Sequence, residues 1–234
     1  MIDRTSLRLS ATLLLVGQLL YIVVSQFHPD REAANDHPAV FAEYAGSGIW
    51  TAVHLGQFAG MAILLAGLLA LFSALDGPAG AARWAGRFGG ASAVAALALY
   101  GVLQGVDGVA LKQAVTAWMS APDEEKAARF ASAEAIRWLE WGVRSYQDFA
   151  LGLTLLLFAA TVVRTAWVPR PIAYLMGLSG LTYLVQGWVA GSEGFSRTQT
   201  IPIVLAFVLN LVWMIWLAVV AWRMQDSEAP SPGR

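Results

Sequence analysis

Six apolar stretches, at about 7–27, 50–75, 88–118, 143–166, 171–192 and 202–222, constrain this chain more than any other feature. A helix rises 1.5 Å per residue, so ~20 apolar residues cross the ~30 Å hydrocarbon core of a bilayer. Each stretch reaches that length, and the charged residues gather between them. The expected fold is therefore all-α, a polytopic transmembrane bundle of six helices. Only 13% of the 234 residues are charged, against about 25% in a soluble domain. That leaves too little polar sequence for a separate soluble domain, and residues 1–224 are read as one membrane domain.

The links carry ordinary punctuation. The polar stretch from His28 to Gly48 contains two His-Pro steps, and its segment Pro38–Tyr44 predicts a short interfacial helix started by Asp36 or His37. Asp76–Gly80 predicts a turn. Ser120-Ala-Pro-Asp123 predicts a capping box opening one helix that runs to about Ala166, charged in its first half and spanning in its second. The tail 225–234, rich in Pro and Ser, is expected to be a disordered cytoplasmic tail. The first apolar stretch is too long for a signal-peptide core and lacks a small-x-small site after it, which predicts a retained span.

Basic residues in short loops set the expected orientation. With the N-terminus inside, Arg4, Arg8, Arg83, Arg87, Arg164, Arg170 and Arg223 are cytoplasmic, while Arg31, Lys126, Arg129, Arg137 and Arg197 are outside. Both termini are then cytoplasmic, and the location is a cell membrane crossed several times, of the bacterial cytoplasmic kind. Trp118, Trp138, Trp141 and Trp188 are expected in the outer aromatic belt, with Trp84, Trp167 and Trp222 in the inner one.

A polar side chain in hydrocarbon asks for a partner, a cavity or a role. Placed by depth, these residues fall in the outer half. They are Gln18, Tyr21 and Ser25 in the first span, His54 and Gln57 in the second, and Tyr100, Gln104 and Asp107 in the third, with Lys112 above. Ser179, Tyr183, Gln186 and Glu193 share a face of the fifth, and Asn210 lies near the middle of the sixth. On the fourth helix Arg137, Glu140, Arg144, Gln147 and Asp148 step by three or four and so share one face. The spacing predicts the pairs Glu140–Arg144 and Arg144–Asp148. The cytoplasmic halves are apolar. An open pore needs polar lining throughout, so the expectation is a pocket open to the outside or laterally to lipid, and closed below. Its candidate ligand-binding residues are His54, Gln57, Tyr100, Gln104, Asp107, Glu140, Arg144, Gln147, Asp148, Tyr183 and Gln186.

Two chemistries fit these residues. His54, Asp107, Glu140 and Asp148 converge as a catalytic or hard-metal cluster, or they form a structural network satisfied by the donors of Arg144. His54 is the one histidine within a span, so a haem held by paired histidines is not expected, and no metal-ligand set is assigned. Lys112 near the outer boundary reads as a snorkelling lysine rather than a Schiff-base lysine. Gly56 and Gly60 form a small-xxx-small pair, predicting close packing of the second helix. The chain lacks His-Glu-x-x-His, Gly-x-Ser-x-Gly and a phosphate loop, and has no flavin or nucleotide signature. With zero cysteines there is no disulfide, thiolate site or cysteine nucleophile, and a net charge of −1 gives no footprint for nucleic acid.

The run Gly152-Leu-Thr-Leu-Leu-Leu-Phe158, then Val163-Arg164, Val168-Pro-Arg170 and Leu175-Met-Gly-Leu178, resembles small bacterial multi-span proteins filed as domains of unknown function. The segments His54-Leu-Gly-Gln57 and Gln104-Gly-Val-Asp-Gly108 are similar to hypothetical membrane proteins of high-GC bacteria. The resemblance implies a six-span bacterial class and carries over no activity. The expected function is binding or transport of a small or amphipathic molecule, such as a lipid, in an outward pocket. The alternatives are an integral-membrane enzyme using the outer carboxylates and His54, and a structural or assembly subunit. The expected partners are the lipid bilayer and, for the assembled form, further copies of the chain.

Overall fold

The computed structural model describes residues 3–29, 31–75 and 80–224, which are helical apart from short links and contain no strand. Residues 76–79 of the expected turn and the tail 225–234 lie outside the described residues. Helix α1 is Arg4–Ser25, opened by the Asp3 carboxylate, which accepts from the Thr5 and Ser6 amides at 3.0 and 3.2 Å. Helix α2 is His37–Gly46, with Asp36 capping the Ala39 amide and Pro38 in the first turn, as the sequence predicts. Helix α3 is Trp50–Ala74 and α4 is Ala81–Gly105. The latter continues through a π-helical segment, Val106–Leu111, into α5, Lys112–Met119. Helix α6 is Asp123–Val162, α7 is Arg170–Glu193 and α8 is Thr200–Arg223.

Six helical stretches are long and apolar enough to cross a membrane: α1, α3, α4 through α5, α6, α7 and α8 with its preceding turn. Each packs on the next in chain order, and α8 returns to α1, closing a ring. One half of the interior is solidly apolar, filled by Leu65, Leu68, Phe158, Met176, Trp213 and Leu217. The outward faces are apolar too, with Leu9, Val16, Val23, Val208 and Ile215 exposed. A helix apolar inside and out belongs in lipid rather than water, so the chain is a multi-pass membrane protein.

Close approach of α1 and α3 depends on glycine. A Cβ on Gly60 would stand 2.8 Å from the Tyr21 backbone nitrogen, and one on Gly17 would run into that of Leu64. The predicted Gly56–Gly60 packing face is therefore real, with Gly56 against the Val24 side chain.

Two local expectations are corrected. No capping box forms at Ser120. Its hydroxyl donates to the Thr116 carbonyl at 3.0 Å, finishing α5, and α6 begins after Pro122 with no side-chain cap. Asp123, Glu124 and Glu125 do occupy its first turn. That helix also stops at Val162, short of Ala166, where the Thr165 hydroxyl takes the Val162 carbonyl at 2.8 Å.

At 40 residues, α6 is about 60 Å long, twice the hydrocarbon thickness. Its first half rises beyond the bundle and packs against α2 and α5 in a second apolar cluster of Val40, Phe41, Tyr44, Leu111, Val115 and Ala133. Trp118 joins this cluster, edge-on to Phe130 at 5.3 Å, whereas Trp138 and Trp188 are exposed. Lys112 locks the cap together. Its ammonium donates to the carbonyls of Tyr44, Ala45 and Ser47 at 2.7, 2.8 and 2.8 Å, satisfying the C-terminal end of α2.

Candidate functional site

At the capped end of the ring the interior opens into a pocket of about 660 Å³. Ten of the eleven predicted residues line it, from α3, α4, α6 and α7 and the π-helical segment. The exception is His54, which is buried behind Asp107. Gln18 and Tyr21 of α1 complete the wall, Met61, Leu64, Leu103 and Ala206 form an apolar floor, and Arg31, Glu32 and Arg197 stand at the exposed mouth.

The charged face of α6 runs down the wall. Arg144 donates through Nε to Asp148 Oδ2 at 2.9 Å, as predicted. The expected Glu140–Arg144 pair is replaced by Arg137–Glu140, in which one guanidinium nitrogen reaches both carboxylate oxygens at 3.1 and 2.8 Å. The reason is competition, because Arg137 lies one turn toward the cap and is itself buried. Its other terminal nitrogen donates to the Ala34 carbonyl at 3.2 Å, and its plane lies over the Phe195 ring at 4.7 Å. Burial raises the Tyr44 phenol, also above this plane, beyond its ordinary value. It therefore stays protonated and accepts from Arg137 at 3.4 Å.

The segment 31–36 is tied across the mouth. The Arg31 and Glu32 amides donate to the Glu43 carboxylate at 3.3 and 3.4 Å, and the Asn35 amide donates to the Glu193 carbonyl at 2.9 Å. Glu193 is exposed and takes no place in the pocket, unlike Ser179, Tyr183 and Gln186 on the same helix, which are buried.

Some pocket residues are spoken for. Gln186 donates to the Pro202 carbonyl at 3.2 Å, joining α7 to α8, and Tyr183 accepts from Asn210 at 3.2 Å, which in turn accepts from the Trp213 indole at 3.0 Å. Gln57 donates to the Ser25 hydroxyl at 3.2 Å. Others are not. Both side-chain polar atoms of Gln147, one oxygen each of Asp148 and Asp107, and the Gln104 carbonyl oxygen are buried without a hydrogen-bond partner among the described residues. Buried polar groups normally have one.

The π-helical segment sets the geometry at Asp107. A π turn breaks the regular hydrogen-bond ladder, and side chains of α3 take the displaced carbonyls. The Trp50 indole donates to Asp107 O at 3.0 Å, and the Thr51 hydroxyl donates to Gly108 O at 3.4 Å. A Cβ on Gly108 would stand 2.6 Å from that of His54, so only glycine allows this approach. Asp107 Oδ2 then meets His54 Nε2 at 2.9 Å, while His54 Nδ1 faces the Trp50 carbonyl at 2.8 Å.

Arg137 and His28 stand outside the set of candidate ligand-binding residues expected from the sequence. Arg137 stood on the same helical stripe as Glu140 and was legible there. His28 follows the end of α1 and carries no periodic signal, and only the fold places its ring 5.2 Å from that of His54.

Compared with protein-family models, curated proteins and solved structures, the chain matches none.

Proposed function

We propose that this chain lies in a bacterial cytoplasmic membrane with both termini inside, and binds a small amphipathic molecule with a polar, net-neutral head in the pocket at its extracytoplasmic face. One observation carries the reading. A pocket of about 660 Å³, within the ~300–1,000 Å³ of ligand sites, is lined by Gln147, Asp148 and Asp107, which carry buried polar atoms without a partner among the described residues. A network serving only to pack helices closes its donors and acceptors on one another. This one leaves both kinds unpaired on side chains that line a space large enough for a ligand. Charge narrows the class. Arg31, Arg137, Arg144 and Arg197 are matched in the lining by Glu32, Asp107, Glu140 and Asp148, so the pocket offers no net field for a strongly charged ligand. The apolar base supports binding over a two-ended channel, and the asymmetry of basic residues between loops supports the orientation.

The test is native mass spectrometry of the purified protein in detergent with phosphatidylethanolamine or phosphatidylglycerol added. The zwitterionic lipid is expected to be retained preferentially, with retention falling about tenfold in Gln147→Leu, the loss of ~1.4 kcal/mol. Equal retention of both lipids, unchanged in the variant, would mark lipid held around the bundle and sink the reading. A second reading, an integral-membrane enzyme, is favoured by one observation, the His54–Asp107 contact beside the same pocket. Turnover of a bound lipid that disappears in Asp107→Asn would select it.

A further inference from the structure

We propose that His28, His54 and Asp107 form a binding site for a divalent transition-metal ion of the zinc type, open on its remaining side to the pocket. Each residue offers one ligand atom, and the three atoms lie within 4.8 Å of one another. Nothing in the sequence joins them. His28 lies beyond the end of α1, His54 on the first turns of α3, and Asp107 in the π-helical segment.

The contacts of His54 call for positive charge at Nε2. Nδ1 faces the Trp50 carbonyl at 2.8 Å, and a carbonyl only accepts, so this nitrogen carries a proton. Nε2 faces Asp107 Oδ2 at 2.9 Å. In a neutral imidazole protonated at Nδ1, Nε2 presents a lone pair, and it would then confront the lone pairs of a carboxylate. Positive charge at Nε2 resolves the conflict, either as a second ring proton, which makes the imidazolium a donor to Asp107, or as a metal ion. The His28 ring nitrogen beside the pair supplies the third ligand that an ion needs and a proton does not. Metal-bound histidines characteristically donate their other ring N–H to a carbonyl or carboxylate, which fixes the ring, and Trp50 supplies that carbonyl here. Two donors bound at ~2.0–2.1 Å to one ion, at angles from square to tetrahedral, stand about 2.9–3.4 Å apart, which brackets the His54–Asp107 separation of 2.9 Å. His28 is half-buried beside the pocket, and with the three ligand atoms within 4.8 Å of one another, closing to the ~3.3 Å between donors on one ion takes a shift of at most about 1–2 Å.

The surroundings are built to hold Asp107 in place. Trp50 holds its backbone carbonyl, Gly108 permits the approach to His54, and the second carboxylate oxygen is buried without a partner among the described residues. Two imidazoles and one carboxylate suit zinc with an open fourth position, and equally the facial sites of ferrous iron. A bound ion adds positive charge to a lining whose own side chains balance, and a water, or the phosphate oxygen of a head that is neutral overall, completes its shell.

The site goes beyond the lipid-binding reading and is scored without any lipid, so either can fail alone. Isothermal titration of metal-stripped protein in detergent with zinc chloride is expected to show about one equivalent bound, and His28→Ala and Asp107→Asn each to weaken it at least tenfold. Outer-shell changes alone cost about 10–100-fold. Glu134→Gln, which breaks the separate His37–Glu134 pair at 2.9 Å, is expected to leave binding unchanged. Cobalt in place of zinc is expected to give visible d–d bands in the wild type, and X-ray absorption to show two imidazoles in its shell. The absorption measurement needs no variant and decides the matter if a substituted protein fails to fold. Lack of zinc uptake by the wild type, a metal shell without imidazole, or full affinity in folded His28→Ala and Asp107→Asn would each overturn the site.

Discussion

Arg144→Met is the substitution that best separates the structural work of the α6 stripe from its role in binding. Asp148 is fully buried, its Oδ2 held by Arg144 at 2.9 Å and its Oδ1 without a partner among the described residues. Removing the guanidinium leaves an uncompensated carboxylate in the interior, which costs about 3–5 kcal/mol. Asp148→Leu is expected to cost less, about 1–3 kcal/mol, because Arg144 is 20% exposed and lines the pocket, where water reaches it. The double variant Arg144→Met, Asp148→Leu replaces a pair by apolar volume and is expected to be neutral or stabilising by up to ~4 kcal/mol. The cycle therefore carries a coupling of at least about 4 kcal/mol. Equilibrium unfolding in mixed micelles titrated with dodecyl sulfate reads these values, and lipid retention by native mass spectrometry reads function on the same samples. The double variant is expected to keep stability and lose the ligand. Arg144→Met within about 1 kcal/mol of wild type, or a double variant no better than that single one, would refute the claim that this pair is buried and mutually dependent.

Gly17→Ala is expected to cost about 1–3 kcal/mol in the same unfolding assay, since its methyl meets the α3 backbone at Leu64, whereas Gly46→Ala, with open space around it, is expected to be silent. Lys112→Met removes the donor to three carbonyls at the end of α2. Hydrogen exchange is expected to speed up at α2 and its contacts in the cap while the spans stay protected. Gly194→Ala forces a positive φ of 68° on a residue with a Cβ that would meet the Trp141 ring at 2.6 Å; a lowered melting temperature with red-shifted tryptophan fluorescence checks it. The Ser6 side-chain hydrogen bond, followed by the Ser6 and Thr5 amides, holds the exposed Asp3 carboxyl below its ordinary 3.8. Its capping contribution is thus present above that value and lost as pH falls through the lower, folded-state value. Melting scans from pH 6 to pH 2 are expected to show this component vanish in Asp3→Asn.

The sequence alone determined the six spans, because hydrocarbon has no partner for backbone N–H and C=O groups and so admits a helix wherever about 20 apolar residues run together. Helical periodicity likewise determined which side chains of α6 share a face, and depth along each span placed the polar residues at one end. Ten predicted residues line the pocket for that reason. Tertiary structure decided everything that depends on which residues compete for a partner. Arg137 takes Glu140, where spacing alone left Arg144 an equal claim, and Lys112 closes the end of a helix more than sixty residues earlier in the chain. The meeting of His28, His54 and Asp107 was illegible for a related cause. Periodicity describes positions within one helix, while this cluster joins a segment after α1, the start of α3 and a π turn that no residue pattern announces. Long-range packing alone, with Gly108 as its point of contact, sets those three against one another.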